Sequence, residues 1–190
     1  FSNHWATTSG GAIFQAQVPT ANDDVFFDAN SFTATGQTIN GDNTVIFFRS
    51  MDWTGAMYNP QFTQSTSSST INVFGSLTLI SAMNWNVSGS VIFLSNSTGN
   101  TITSARQTYK NRVDFEGSGG GWTLQDSLKL NGAVSVTNSG LLTLDFGTLN
   151  TNAQAVNCLG FISSNSNTRS LIMDNTVFTV GSNSGSFPVW

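Results

Sequence analysis

The stretch Ser76-Leu77-Thr78-Leu79-Ile80 alternates polar and apolar side chains, and Gly140-Leu141-Leu142-Thr143-Leu144-Asp145-Phe146 follows the same pattern. Successive side chains of a β-strand point to opposite faces of a sheet, so a period of two predicts strands with one buried face. No stretch combines apolar residues at helical spacing with a charged opposite face. The sequence therefore predicts an all-β protein.

The composition also favours strands and turns over helices. Charged residues make up 8% of the 190 residues, against roughly a quarter in an average soluble protein. Solubility then depends on Ser, Thr and Asn, whose side chains hydrogen-bond the backbone in non-helical conformations. Hydrophobic residues still make up 38% of the chain, which predicts a folded core rather than a disordered segment.

Short β-branched and aromatic runs recur along the chain. They begin at positions 25, 45, 71, 91, 113, 134, 156 and 177, a spacing of about 21 residues. This spacing is too short for a βαβ unit of about 30 residues and too long for a single strand with its turn. Further runs such as Leu128-Lys129-Leu130 lie between the main ones. We therefore predict a right-handed parallel β-helix, or β-solenoid, of roughly eight rungs; the alternative is a β-sandwich or jelly roll.

The regular spacing predicts one solenoid module over residues 1–190. Residues 1–20 fit the period poorly and are expected to form an N-terminal cap or a strand that passes over the first rung. The longest step, from position 45 to 71, implies a loop excursion over residues 52–70. The sequence has no initiator Met and no signal peptide, so we expect a fragment of a longer protein.

Charge and residue counts argue against several classes of function. The net charge is −4 and the six Lys and Arg residues are spread along the chain, whereas a nucleic-acid surface needs clustered basic side chains. No apolar run approaches the roughly 20 residues that span a bilayer. One His and one Cys are too few for a zinc site, and no serine-hydrolase motif is present. Cys158 lies in an apolar run and is predicted to be a buried structural thiol.

Several motifs together resemble one family of proteins. In chain order they are Asn3-His4-Trp5-Ala6, Val18-Pro19-Thr20-Ala21-Asn22-Asp23-Asp24-Val25-Phe26-Phe27-Asp28 with Ser31-Phe32, Met51-Asp52-Trp53, Gly119-Gly120-Gly121-Trp122-Thr123-Leu124, and Gly147-Thr148-Leu149-Asn150-Thr151-Asn152. Over nearly the whole chain, they resemble modules of the very large secreted surface proteins of Bacteroidota, the adhesin-like cargo of type IX secretion and gliding motility. The resemblance implies a secreted or cell-surface location and brings no catalytic residues with it.

The same resemblance directs attention to Asp126-Ser127-Leu128. This tripeptide is similar to the Asp-Ser/Thr-apolar site at which such bacteria attach O-glycans, so Ser127 is a candidate O-glycosylation site. We expect a non-catalytic structural or adhesive module whose partners are neighbouring copies or modules of the same protein, or surface glycans.

Oxygen ligands are concentrated where the first apolar run begins. Asp23, Asp24 and Asp28 are candidate ligands for Ca²⁺, which binds six to eight oxygen atoms. In strand geometry, Asp24 and Asp28 share a face and Asp23 points away. The alternative is a turn closed by the Asp side chains at the start of the strand. No other cofactor is expected.

Aromatic residues in polar stretches suggest a carbohydrate-binding module as an alternative function. Trp53, Tyr58 and Trp85 are candidate sugar-binding side chains, because flat aromatic rings are suited to stack on sugars. The opposing interpretation is that these rings stack inside the solenoid, from one rung to the next.

A polysaccharide lyase or hydrolase on a β-helix is the second alternative. Asp114 and Glu116 would share one face of a strand, as the paired carboxylates of glycoside hydrolysis require. Arg106, Lys110 and Arg112 are the main concentration of basic residues and lie close to Asp114 in the sequence. The opposing interpretation is a solvated strand face beside a basic loop.

Overall fold

The regular structure of the chain consists of short β-strands. The structure is a computed structural model that describes residues 5–11, 14–15, 17–41, 45–132 and 139–181. In chain order, the first strands are β1 (Trp5–Ala6), β2 (Phe14–Gln15), β3 (Val25–Phe26), β4 (Thr38–Asn40), β5 (Val45–Phe48), β6 (Met51–Asp52), β7 (Gln61–Gln64), β8 (Thr70–Val73), β9 (Leu77–Thr78), β10 (Asn84–Val87) and β11 (Ser90–Phe93). They are followed by β12 (Asn100–Thr103), β13 (Thr108–Tyr109), β14 (Val113–Phe115), β15 (Gly121–Leu124), β16 (Leu128–Leu130), β17 (Leu141–Leu144), β18 (Gly147–Asn150), β19 (Val156–Cys158), β20 (Gly160–Ile162), β21 (Arg169–Ile172) and β22 (Phe178–Val180).

The strands stack as parallel sheets along a β-solenoid. Sheet I has the order β21-β18-β15-β12-β9-β6-β3, and sheet II has the order β20-β17-β14-β11-β8-β5. The third side consists of two ladders, sheet IIIa (β10-β7-β4) and sheet IIIb (β13-β16-β19-β22). Each turn of the chain adds one strand to each side, and within each ladder a strand pairs in parallel with the strand three positions earlier in the chain. The predicted solenoid is confirmed.

The solenoid has about six turns rather than the predicted eight. The described residues contain six successive three-strand turns, from β4–β6 to β19–β21. The predicted count was too high because the recurring apolar runs do not mark one side of the solenoid. The run at 25 lies in sheet I, those at 45 to 113 lie in sheet II, and those at 156 and 177 lie in sheet IIIb. The run at 134 lies outside the described residues.

The segment 52–70 is a regular part of the solenoid rather than an excursion. It contains β7, which pairs in parallel with β4 on one side and β10 on the other. The N-terminal region differs from the rest, because β1 and β2 pair antiparallel. Trp5 packs against Phe27, with ring centroids 6.0 Å apart. Residues 1–4, 12–13 and 16 lie outside the described residues, so the cap over 1–20 stays a prediction.

In-register columns of apolar side chains form the core. On sheet II, Ile71, Val91, Val113 and Leu142 occupy equivalent positions of successive strands, and each is at most 1% exposed. Burial of one such side chain stabilises the fold by about 1.5–3 kcal/mol. A single turn could not bury its own apolar face, so the stacking of turns creates the core.

Aromatic rings extend the core through the first turns. Phe27 stacks on Trp53 at 4.0 Å, Trp53 meets Phe62 edge-on at 6.3 Å, and Phe62 stacks on Trp85 at 5.1 Å. Trp85 then contacts Tyr109 edge-on at 6.3 Å. We call these five residues the aromatic column. Offset stacking and edge-to-face contacts are the favoured arrangements of aromatic pairs and add to the energy of burial.

Side chains connect the turns where sheet IIIa gives way to sheet IIIb. Gln107 accepts a hydrogen bond from the backbone N–H of Trp85 at 3.3 Å and donates its side-chain amide to the carbonyls of Ile80 and Met83 at 3.0 Å. Within sheets IIIa and IIIb, backbone hydrogen bonds join neighbouring strands. At the junction between the two sheets, the side chain of Gln107 makes hydrogen bonds that join the turns.

Candidate functional site

The predicted sugar-binding aromatics are mostly internal. Trp53 is 0% exposed and Trp85 is 3% exposed, because both belong to the aromatic column. The prediction that these two rings form an exposed binding face is wrong. Tyr58 is 46% exposed and lies in the turn that follows Trp53, with a backbone φ of 70°. Both tryptophans have polar neighbours in the sequence because a solenoid strand alternates inward rings with outward polar side chains. Polar neighbours therefore do not show that a ring is exposed.

The three carboxylates predicted to bind Ca²⁺ are each engaged separately. Asp24 forms a bidentate ion pair with Arg49, whose Nε donates to Oδ1 at 2.7 Å and whose second nitrogen donates to Oδ2. Asp23 accepts hydrogen bonds from the backbone N–H and the hydroxyl of Thr20. Asp28 accepts from the backbone N–H of Asn30.

Neighbouring hydroxyl, backbone and guanidinium groups lower the pKa of all three carboxyls. The causes are chiefly the hydroxyl of Thr20 at Asp23, the guanidinium of Arg49 at Asp24 and the hydroxyl of Ser9 at Asp28. Across the described ranges, no three His, Cys, Asp or Glu residues form a group that could hold a metal ion. The predicted three-carboxylate calcium site is therefore wrong, and the alternative of turn-forming Asp side chains describes Asp23 and Asp28.

Asp114, the carboxylate at the centre of the lyase and hydrolase alternative, is buried. Its side chain is 1% exposed, and its Oδ2 accepts a hydrogen bond from the Nε of Arg112 at 2.7 Å. Burial raises the pKa of Asp114 to about 6 despite the opposing effect of Arg112. Lys110 donates to the side-chain oxygen of Asn86 at 2.6 Å. The structure thus brings Arg112 and Asp114 together, but in a position that a polymeric substrate does not reach.

A concave surface lies along one edge of the solenoid. We call the segments that connect a sheet I strand to the next strand of sheet IIIa or IIIb the corner turns. A groove of about 490 Å³ runs along four successive corner turns. Its lining residues are Ser81, Ala105, Arg106, Asp126, Ser127 and Gln154.

Asp126 organises the middle of this groove. Its two carboxylate oxygens accept hydrogen bonds from the backbone N–H groups of Ser104 at 2.7 Å and Ala105 at 2.5 Å, which belong to the preceding corner turn. Arg106 is exposed, and no hydrogen bond or ion pair of its guanidinium occurs within the part of the chain that the structure describes. Ser127, the candidate O-glycosylation site, is exposed at the same groove.

Backbone strain is concentrated along the same edge. Every non-glycine residue with positive φ among the described residues lies in a corner turn: Tyr58, Asn59, Ala105, Arg106, Asn152, Ala153 and Asp174. This left-handed conformation costs residues other than Gly and Asn roughly 1–2 kcal/mol. Ala105 and Arg106, with φ of 49° and 67°, carry this cost inside the groove.

Two features of the groove were not predicted from the sequence. They are the hydrogen bonds of Asp126 to the preceding corner turn and the position of Arg106 in the groove lining. Asp126 acts on a turn that precedes it by more than 20 residues, and only the register of β12 on β15 brings the two together. The sequence groups Arg106 with Lys110 and Arg112 as one concentration of basic residues. A signal was available in the dipeptide Asp126-Ser127, which directly precedes β16 as Arg106-Gln107 precedes β13.

Cys158 is buried, as predicted, with 4% of the residue exposed. Burial raises the pKa of its thiol to about 11. A thiol with a raised pKa holds its proton at neutral pH and is a poor nucleophile. Cys158 therefore contributes to packing in sheet IIIb.

Comparisons with protein-family models, curated proteins and solved structures find no match for this chain. The residues that the structure describes include no helix long and apolar enough to cross a membrane.

Proposed function

We propose that this chain is a non-catalytic structural or adhesive module of a secreted or cell-surface bacterial protein. Its role is to space and stiffen that protein and to present a surface, alone or next to similar modules. The observation that carries the proposal is the aromatic column, which places the large rings of successive turns in contact along the solenoid axis. Continuous packing of this kind favours a stiff rod.

Two further observations support a mechanical role. Sheets I and II are continuous ladders of backbone hydrogen bonds, and sheets IIIa and IIIb add a ladder on the third side of most turns, so each turn is held to its neighbours along much of its length. Asn111 adds a cross-link inside the core, because its amide nitrogen donates to the carbonyls of Ser67 and Ser88, each at 3.0 Å. These carbonyls belong to the two preceding turns, so one side chain ties three turns together.

The placement of charged groups favours this role over catalysis. Asp23, Asp24 and Asp126 are engaged by turn or ion-pair contacts, and Asp114 is buried beside Arg112. The carboxylates of Asp23, Asp24 and Asp126 thus stabilise the fold where they lie, and that of Asp114 is enclosed by the fold. The lyase or hydrolase alternative would need Asp114 at the surface, so it has the least support.

Single-molecule force spectroscopy tests the mechanical role. The chain is placed between reference immunoglobulin-like domains and stretched from its ends. We expect it to resist extension at forces comparable to those of the reference domains. Full unfolding of residues 25–180 should release about 500 Å of contour length, at about 3.5 Å per extended residue. Extension at forces far below those of the reference domains would refute the proposal.

A further inference from the structure

We propose that the groove on the corner turns binds a linear, uncharged polysaccharide that lies along the solenoid axis. The site is formed by Ser81, Arg106, Asp126, Ser127 and Gln154, with Ala105 at its centre. It is separate from the aromatic face considered from the sequence, because Trp53 and Trp85 are buried in the core. The inference deepens the adhesive part of the proposed function by naming the class of molecule that the module would hold.

The lining has the hydrogen-bonding chemistry of a sugar site. Ser81 and Ser127 provide hydroxyls that donate and accept, Gln154 provides an amide, and Arg106 provides five N–H donors in a planar fork. Asp126 is an acceptor whose position is fixed by the two backbone N–H groups of the preceding turn, and each of its oxygens keeps a further lone pair. Sugar hydroxyls both donate and accept, so a mixed lining of this kind complements them.

The charge of the groove favours an uncharged chain over an acidic one. Arg106 and Asp126 contribute one charge of each sign, so the lining is neutral as a whole. The protein itself carries a net charge of −4. A negatively charged polymer would therefore be repelled by the protein as a whole without a compensating basic site in the groove.

The length of the groove favours a polymer over a single sugar. Its residues come from four successive corner turns, represented by Ser81, Arg106, Asp126 and Gln154. Adjacent strands of a sheet are about 4.8 Å apart, so the groove extends over about 14 Å along the axis. The length that one hexose unit adds to an extended polysaccharide is similar to the rise of one solenoid turn along the axis. The groove would thus hold about three units, one for each step between successive turns.

The backbone of the groove fixes the position of Arg106. Ala105 and Arg106 both adopt a left-handed conformation that Gly would adopt without strain. The same conformation occurs in corner turns outside the groove, at Tyr58, Asn59 and Asp174, so it belongs to the geometry of these turns. Here the conformation places an exposed guanidinium at the groove without a partner among the described residues.

The test uses Arg106→Gly, because Gly fits a φ of 67° and the variant should fold at least as stably as the wild type. Affinity electrophoresis is run in gels that contain laminarin, xylan or galactomannan as uncharged polymers, or alginate as an acidic one. We expect at least one uncharged polymer to retard the wild-type protein, and Arg106→Gly to weaken that interaction at least tenfold. Ser81→Ala, at the far end of the groove, should weaken it two- to fivefold.

Two controls separate the site from general effects. Asn59→Gly changes an exposed residue with positive φ in another corner turn, outside the groove. Lys129→Ala removes one exposed positive charge from β16, also outside the groove lining. Both variants should bind like the wild type.

Each other outcome would overturn the proposal. Retardation by none of the polymers, or by alginate alone, would exclude an uncharged polysaccharide as the ligand. Equal binding by Arg106→Gly would place the binding site elsewhere. An effect of Arg106→Gly with none of Ser81→Ala would show a ligand too short to follow the axis. None of these results would change the unfolding force, so this proposal and the mechanical role can fail independently.

Discussion

Replacement of Asp114 by Asn is expected to stabilise the protein at neutral and alkaline pH. Burial raises the pKa of Asp114 from 3.8 to about 6 in the folded state. The folded protein therefore binds this proton more tightly than the unfolded chain does. The resulting stabilisation is fully present below pH 3.8 and is lost as the pH rises to about 6. A difference of about 2.2 pKa units corresponds to about 3 kcal/mol.

Asn resembles the protonated carboxyl and does not ionise. Its amide also leaves Arg112 without an ionic partner, but the side chain of Arg112 is 35% exposed and can be solvated by water. We expect Asp114→Asn to exceed the wild type in free energy of unfolding by about 3 kcal/mol at pH 8, and by less than about 1 kcal/mol at pH 4. Urea denaturation followed by tryptophan fluorescence at several pH values measures this difference.

Glu116→Gln is the matched comparison, because it removes a negative charge from the same segment at a position that is only partly buried. The charge of Glu116 is a minor cause of the raised pKa of Asp114, so this variant should also gain stability at pH 8, by much less than Asp114→Asn. The reasoning would be refuted if the wild type were more stable than Asp114→Asn at pH 8. That result would mean that the ion pair with Arg112 outweighs the cost of burying the carboxylate.

Two further substitutions test the core and the contacts between turns. Trp53→Ala should lower the free energy of unfolding by about 3–5 kcal/mol, because it leaves a cavity in the aromatic column. Tyr58→Ala removes an exposed ring in the same segment and should change the free energy of unfolding by less than about 1 kcal/mol. Equal effects of the two substitutions would contradict the burial of Trp53 and the exposure of Tyr58. Gly117→Ala should destabilise by about 1–3 kcal/mol or more, because the added methyl would lie 1.9 Å from the carbonyl oxygen of Ser95. In Gly181→Ala the added methyl meets no atom within 4 Å, so this variant should be neutral in the same urea denaturation assay. A Gly117→Ala protein as stable as the wild type would show that the turns are packed less closely.

The fold was predictable because its signals are local. Alternation in the stretch around Leu77 predicts a strand with a buried face, and Leu77 is 0% exposed in β9. The repeat spacing predicts stacked turns because each turn needs a similar length of chain. The exact number of turns was not predictable from the apolar runs, since the most apolar side of a turn changes from sheet II to sheet IIIb along the chain.

The candidate site was much less predictable, because it depends on contacts between turns. Nothing local distinguishes Trp53, which is buried, from Tyr58, which is exposed, since both lie among polar residues. Asp24 and Arg49 form an ion pair across one full turn, so the register must be known before the pair can be recognised. Asp24 is unavailable to the predicted calcium site for this reason, because local spacing cannot show that a carboxylate already has a distant partner.

The junction between sheets IIIa and IIIb has a consequence for how the molecule loses its structure. In a linear array of turns, stability is the sum of the terms within each turn and the terms between neighbours. At this junction, the side chain of Gln107 replaces part of the backbone ladder between β10 and β13. On this side of the solenoid, the bonds between neighbouring turns therefore change from backbone to side-chain hydrogen bonds. We expect the turns before the junction and the turns after it to form two cooperative blocks that unfold one after the other.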